Sequence, residues 1–413
     1  MSLLTGYTRM IKSLSHNAKM WLLFGVITGA SWSVANVLFP LYLVKLGYME
    51  DRIGLFSSVT SLAIGLMAIP AGLALRGRRR KPFILLSSLS GAVFTFAQVM
   101  RPAEPVLIAT NAAYGVLQAL LIVSESPFIM ENSRPEERSH LFSLNFIAVF
   151  AMFIVGSVWA GRLPALVGRL TGMAAESLPA FRNSLLVGVF FRFLATVPLA
   201  YIREARPGAA DDGVRRGFFN LPSAGTIKKL CVTRMAWALG CGLFVPFIPV
   251  LLKTRLNADT AAVGSINALV NLACTVGCLL SPALHRMLGM TRAISITIIA
   301  ATPMLVATGF SRVLWFGGAM IVLREFATMS TGPLRQRFSM EAVTKEEQPV
   351  MASIDQVAWQ LPWAAGAWLG GMLIGWFGYE LVFSLAGLMY VIAGVLYGAM
   401  FKAESRRIHA AGA

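Results

Sequence analysis

An all-α integral membrane protein of twelve transmembrane helices, set as two six-helix bundles, is the fold class this sequence predicts. Three observations carry it. Only 13% of the 413 residues are charged while 56% are hydrophobic, and mean hydropathy is +0.68, against roughly 25% charged in ordinary soluble domains. Apolar runs recur, each close to the ~20 residues a helix needs to cross a ~30 Å hydrocarbon core. The basic residues collect in alternate connections between those runs, as short loops retained on the cytoplasmic side do.

In chain order, Tyr7–Asn17 reads as a short amphipathic helix lying on the inner surface. Six spans follow: Trp21–Leu43, Arg52–Leu75, Pro82–Met100, Val106–Met130, His140–Leu163 and Ser184–Ile202. Residues 203–226, rich in Pro, Gly and charge, form a cytoplasmic linker too short to fold alone. Six more spans read as Ile227–Leu252, Ala261–Leu284, Ala293–Phe310, Leu314–Leu334, Pro349–Trp376 and Leu381–Met400. The bundles are therefore 1–202 and 227–413. Barrel strands would be half as long and alternating.

Charge fixes the orientation. Between the second and third spans stand Arg76, Arg78, Arg79, Arg80 and Lys81, which must stay in the cytoplasm. With that turn inside, 24 of the 36 Lys and Arg fall on the inner side and nine outside, so both termini are expected in the cytoplasm. The net charge of +17 lies in short loops without a basic groove, which fits anionic lipid headgroups and argues against nucleic acid. The start of the chain shows no cleavable signal, because Arg9, Lys12 and Lys19 precede a run too long for a signal-peptide core. Cys231, Cys241, Cys274 and Cys278 lie in apolar runs and imply no disulfide framework, and no histidine joins Cys274 and Cys278 to make a metal site.

The halves repeat with an offset near 210 residues. PEERSHLFSLNFIAVF (135–150) aligns with KEEQPVMASIDQVAWQ (345–360), pairing Glu137 with Glu347 and Asn145 with Asp355. An even number of spans per half makes this a parallel repeat about an axis along the membrane normal.

With this layout, the FPLYLVKLG…IGLFSS opening (39–58), the paired glutamate loops and the basic turn, the chain resembles the major facilitator superfamily over essentially its whole length. The signature loop keeps Gly72 and the basic end Arg78–Lys81, but Arg76 stands where the family has an aspartate. The resemblance implies two bundles rocking about a midplane cavity, a small-molecule substrate, no cofactor, and a monomer. Export of a drug or metabolite from a bacterium-like inner membrane in exchange for protons is its commonest use. The departure at Arg76 weakens that subtype and leaves uniport or uptake open.

Ionisable groups inside spans are the functional pointers, because each costs roughly 2.5–3.5 kcal/mol at the bilayer centre unless paired or wet. They are Glu125, Arg192, Arg234, Arg324, Glu325 and Asp355. Arg324, near mid-span, is expected either to attract an anionic solute or to hold a carboxylate such as Glu325. Asp355 matches the acidic position the family keeps at the start of the eleventh span. With Glu125 or Glu131 it is expected to face Arg78, Arg79 and Arg80 across an inner gate, or to carry a coupling proton. Arg192 must turn inward from a peripheral span, and Arg234 is near enough to the inner surface to snorkel. Neutral cavity candidates are Trp32, Asn36, Asn111, Gln118, Asn145, Asn267, Asn271 and Gln360, with Trp359 and Trp363 able to stack on a flat solute. No phosphate-cradling G-x-x-x-x-G-K-[ST] loop and no nucleophile–base pair stands out, so an enzyme is not expected. A non-transporting membrane scaffold or sensor that kept the fold is the alternative. A continuous cavity reaching Asn36 or Arg324 would favour transport, and polar groups packed together without one would favour the scaffold.

Overall fold

A computed structural model describes residues 14–75, 78–133, 138–204, 222–344 and 347–401. Most of the surface helix expected over Tyr7–Asn17, the body of the linker, Arg76, and the side chain of Glu131 lie outside those residues.

The described residues are helical, with no strand among them. In the first half these are α1 (His16–Lys45), α2 (Glu50–Ala74), α3 (Lys81–Met100), α4 (Glu104–Glu131), α5 (Arg138–Thr171) and α6 (Leu178–Tyr201). The second half holds α7 (Ala224–Phe244), a 3₁₀ turn at Val245–Phe247, α8 (Ile248–Thr254), α9 (Thr260–Leu288), α10 (Met290–Phe310), α11 (Leu314–Met329), α12 (Gly332–Glu341) and α13 (Gln348–Met400). Ten of the described stretches are long and apolar enough to cross a membrane. With Leu66, Val155, Phe190 and Leu279 each more than 60% exposed on the outer faces, this is a multi-pass membrane protein, because such apolar surface needs lipid around it.

Four expected spans take a different form. The stretch Leu314–Leu334 divides into α11 and α12, because Pro333 lacks an N–H and disfavours helix in the residue before it. The run expected as Ile227–Leu252 tightens through the 3₁₀ turn at Pro246 before continuing into α8. The last two expected spans run together as α13, whose 53 residues would extend about 80 Å if straight. Gly378 interrupts it at φ 81°, ψ 177°, a conformation that a side chain would oppose. Helix starts are set by side-chain caps at Ser15, Ser177 and Asp259, and by prolines in the first turns of α3, α4 and α6.

The first-half helices pack among themselves through α1–α5, α1–α6, α2–α4, α3–α4 and α3–α6. In the second half α13 lies along α7 and α10, while α11 joins α9 and α10. The halves meet along two seams, α2 with α13 and α5 with α9. The principal cavities lie between and beside these seams.

Candidate functional site

One end of the molecule is sealed by backbone against backbone. A Cβ added at Gly54 (α2) would sit 2.3 Å from the Ala367 carbonyl oxygen on α13, and one at Gly371 would sit 2.4 Å from that of Glu50. At the other seam a Cβ at Gly264 (α9) would lie 2.5 Å from the Ser157 oxygen and 2.7 Å from Gly161 Cα on α5. Only glycine permits these approaches. Polar ties reinforce the same end. Glu176, in the loop after α5, takes Lys253 Nζ at 3.1 Å and Lys45 Nζ at 3.5 Å, and accepts from Thr260 Oγ1 at 2.7 Å. Tyr379 donates to Glu50 at 2.7 Å, and Arg255 pairs with Glu380. Burial pushes the Glu176 carboxyl up, but the hydrogen bonds from Thr260 and Lys253 and the charge of Lys253 win, leaving it below the ordinary glutamate value.

The opposite end, where the basic turn lies, is open. A vestibule of about 850 Å³ enters between the halves, with Gly72, Arg80, Arg234, Arg335, Asp355 and Gln356 in its wall. Asp355 pairs with Arg234 at 3.2 Å. Two guanidiniums lie over Trp237, Arg335 at 4.1 Å and Arg234 at 5.3 Å, and Arg234 also lies over Trp359 at 4.3 Å. Arg335 is buried and donates to Thr328 O at 2.9 Å and Thr331 Oγ1 at 3.0 Å.

Trp237, Met329 and Trp359 also wall a second cavity of about 360 Å³, deeper between the halves. Asn36 and Ser157 from the first half face Asn267, Asn271, Arg324 and Glu325 from the second. Arg324 is 5% exposed, pairs with Glu325, donates to Tyr390 OH at 3.3 Å and covers the Phe244 ring at 4.9 Å. Asn267 Nδ2 donates to Ser157 Oγ at 3.0 Å across the α5–α9 seam, and Asn271 Nδ2 to Asn267 O at 2.8 Å. Phe153 separates this cavity from a third of about 210 Å³, enclosed by the first half alone and containing Trp32, Gln118, Glu125, Asn145 and Arg192. Arg192 Nη2 donates to Tyr114 OH at 2.8 Å, and the guanidinium stacks on Tyr114 at 5.1 Å and Trp32 at 5.8 Å.

Two sealed seams, one open mouth and a chain of cavities between paired bundles describe a container with access from one side. Comparison with known proteins places it. The family model of the Major Facilitator Superfamily matches residues 21–365. The chain belongs to that superfamily. Solved structures with the same fold include a bacterial homolog of the human lysosomal transporter Spinster in an inward-facing, unoccupied conformation. The two share 15% identity over 93% of this chain and 96% of that one, with a TM-score of 0.74. The nucleoside transporter NupG aligns at 14% identity over 94% of this chain and 100% of that one (TM-score 0.73). The human organic anion transporter MFSD10 aligns at 14% over 92% and 99% (TM-score 0.59). No curated protein matches the chain in sequence. As a member of this superfamily the chain is a membrane transporter of small molecules rather than an enzyme.

Within this superfamily fold the expected residues fall into groups. Asn36, Asn267, Asn271, Arg324 and Glu325 share the central cavity, and Trp32, Gln118, Asn145, Glu125 and Arg192 share the first-half pocket. Arg324 and Glu325 pair although neighbours in a helix leave in different directions, because both side chains are long enough to converge beyond the backbone. Asp355 and Arg80 line one vestibule, with Asp355 held by Arg234; among the described residues no ion pair joins Asp355 or Glu125 to Arg78, Arg79 or Arg80. The Arg80 and Lys81 amides instead donate to Glu204. Gln360 lies at the α2–α13 seam against Gly65, apart from the three cavities. Asn111 accepts from Thr60 at 3.0 Å between α4 and α2.

Tyr390, Trp237, Arg335, Glu176 and Glu347 went unsingled in the sequence. Glu347 was partly visible, since the repeated glutamate loop contains it. It is 1% exposed and accepts the backbone amides of Ser223 at 2.9 Å and Thr344 at 3.1 Å, which ties the start of α7 to α13. Nothing in the sequence marks Tyr390 as the partner of Arg324.

Proposed function

We propose that this protein is a secondary transporter of the inner membrane that moves a small solute by alternating access. Its chain would cross twelve times, six in each half, with both termini in the cytoplasm. In that topology α11 with α12 supplies one crossing, and α13 supplies two through the reversal at Gly378. The basic turn then faces the cytoplasm, so the open vestibule faces inward and the glycine-sealed end outward. The observation that carries this reading is the pairing of a sealed outer end with a vestibule that leads, past Trp237 and Trp359, to Asn36 and Arg324 between the halves. A packed polar cluster without access would have supported the scaffold or sensor instead.

The mechanism follows from the two seams. Each buried ion must keep a partner while the bundles rock, because a lone charge in a low-dielectric interior costs several kcal/mol. Arg324–Glu325 and Arg234–Asp355 each lie wholly within the second half, so those pairs can survive a rigid rotation of one half against the other. Of the ties that cross between halves, Asn267 to Ser157 borders the central cavity, while Glu176 to Lys253 and Thr260, and Glu50 to Tyr379, sit at the sealed end and must break for it to open. Solute entering the inward vestibule is drawn from the cytoplasm, the loading step of export. Glu125, Glu325 and Asp355 are the cavity-lining carboxylates, and Glu125 or Asp355, neither of them paired with a neighbour in its own helix as Glu325 is, takes up a proton in exchange.

The test is transport itself. Purified protein is screened for solutes that raise its apparent melting temperature, as a ligand bound only to the folded state must, and hits are followed in proteoliposomes. Saturable flux that responds to an imposed pH gradient is expected. Flux unaffected by the gradient removes the proton, and no flux for any stabilising solute removes the transporter mechanism.

A further inference from the structure

We propose that the pocket inside the first-half bundle binds the protonated amine of a small organic cation, with Glu125 as its counter-ion. This deepens the transport reading and rests on it. The pocket is separate from the central cavity in composition: all its wall residues come from α1, α3, α4, α5 and α6. It contains two charges of opposite sign, and they are used differently. Arg192 is spent on its own wall. It donates to Tyr114, lies over two aromatic rings, and fills a slot that exists only because residue 91 is glycine, where a Cβ would fall 2.5 Å from the guanidinium. Among the described residues Glu125 has no ion pair and no hydrogen bond, with Arg192 or any other group.

The neutral groups fit a ligand with a polar head. Thr28 Oγ1, Gln118 Oε1, Asn145 Oδ1 and the indole Nε1–H of Trp21 are buried in this wall without a hydrogen-bond partner. Buried polar atoms are nearly always satisfied, so these orphans, beside a carboxylate with no partner among the described residues, mark a place where a polar ligand group belongs. The two amides can rotate to offer either end, so the sign of the ligand is set by Glu125, and that sign is positive. Around these oxygens stand Trp21, Phe24, Trp32 and Phe153, which suit an apolar body and favour a cation over their ring faces. At about 210 Å³ the pocket is smaller than the roughly 300–1,000 Å³ of sites for drug-sized ligands. It therefore accepts the amine end of a molecule whose remainder extends past Phe153, the residue shared with the central cavity.

A charge-matched series tests this with the full-length protein in detergent at pH 7: 2-phenylethylamine, neutral 2-phenylethanol and anionic 3-phenylpropanoate, each by calorimetry and thermal shift. The amine is expected to bind and stabilise, and the other two to bind at least tenfold more weakly. Glu125→Gln keeps the shape and is expected to weaken the amine at least tenfold while leaving the alcohol unchanged. Asn145→Asp adds a second negative group to the same wall and is expected to tighten the amine several-fold, which keeps the test decisive if Glu125→Gln fails to fold. Preference for the propanoate, no binding of the amine, or amine affinity indifferent to both substitutions overturns the proposal. Those outcomes leave the alternating-access reading intact, because that reading fails on the accessibility of the central cavity and not on what the first-half pocket holds.

Discussion

Replacing Gly54 by valine puts a side chain where the structure leaves no room. Its Cβ would meet the Ala367 carbonyl oxygen at 2.3 Å, whereas ordinary contact begins near 3.4 Å. The obstacle is helix backbone, which cannot swing aside as a side chain can, so α2 and α13 must separate by about 1 Å or the sealed end must open. Overpacking of this kind costs about 1–3 kcal/mol, which moves a two-state equilibrium by about 5- to 150-fold. Because the cost exists only while the seam is closed, Gly54→Val is expected to populate the state with that end open. Spin labels at Leu170 and Trp315, one on each half and 78% and 72% exposed, report the separation. A longer label distance is expected in Gly54→Val, and the same change in Gly371→Ala, whose Cβ would meet the Glu50 oxygen at 2.4 Å. Unchanged distances in both folded variants would refute the idea that these contacts define a switchable seal.

Three further expectations follow from particular side chains. Arg324→Ala leaves the Glu325 carboxylate buried without its partner and is expected to cost about 3–5 kcal/mol; Arg324→Met with Glu325→Leu should recover most of the lost melting temperature, and a double variant no better than the single one would contradict the pair. The Glu176 carboxyl is lowered in the sealed state, so its contribution is full above the ordinary value of 4.5 and is lost only as the pH falls through the lowered pKa. Label distances at the sealed end should therefore be constant from neutral pH down to about pH 5 and lengthen in more acid solution, with Glu176→Gln lengthening them already at pH 7. Glu347→Ala removes the acceptor for the Ser223 and Thr344 amides, about 1–3 kcal/mol for each donor left unsatisfied, and should lower the apparent melting temperature by several degrees.

Much of this molecule is readable in one dimension, for a physical reason. Lipid forces each crossing to satisfy its own backbone, so length and apolarity alone place α1 to α6. The break in α13 is legible too: one span is read to end at Trp376 and the next to begin at Leu381, and Gly378 at positive φ lies in that gap. What the sequence hides is the pairing of side chains. The buried charges are visible as a set because each is costly in hydrocarbon, but of their partners only Glu325, for Arg324, is offered by the sequence. Arg234 with Asp355, and Arg324 with Tyr390, depend on how α7, α11 and α13 lie together. The sealing glycines were equally silent, since thirty-seven glycines occur in the chain and only packing distinguishes Gly54 or Gly264 from the rest.

The alternating-access claim is tested most directly by a single cysteine at Asn36, in the wall of the central cavity, placed in a protein otherwise free of cysteine and reconstituted in known orientation. A membrane-impermeant thiol reagent is expected to reach it from the cytoplasmic side in the native sequence and from the outer side when Gly54→Val is added. Labelling from the same side in both proteins, or from neither, would contradict the account.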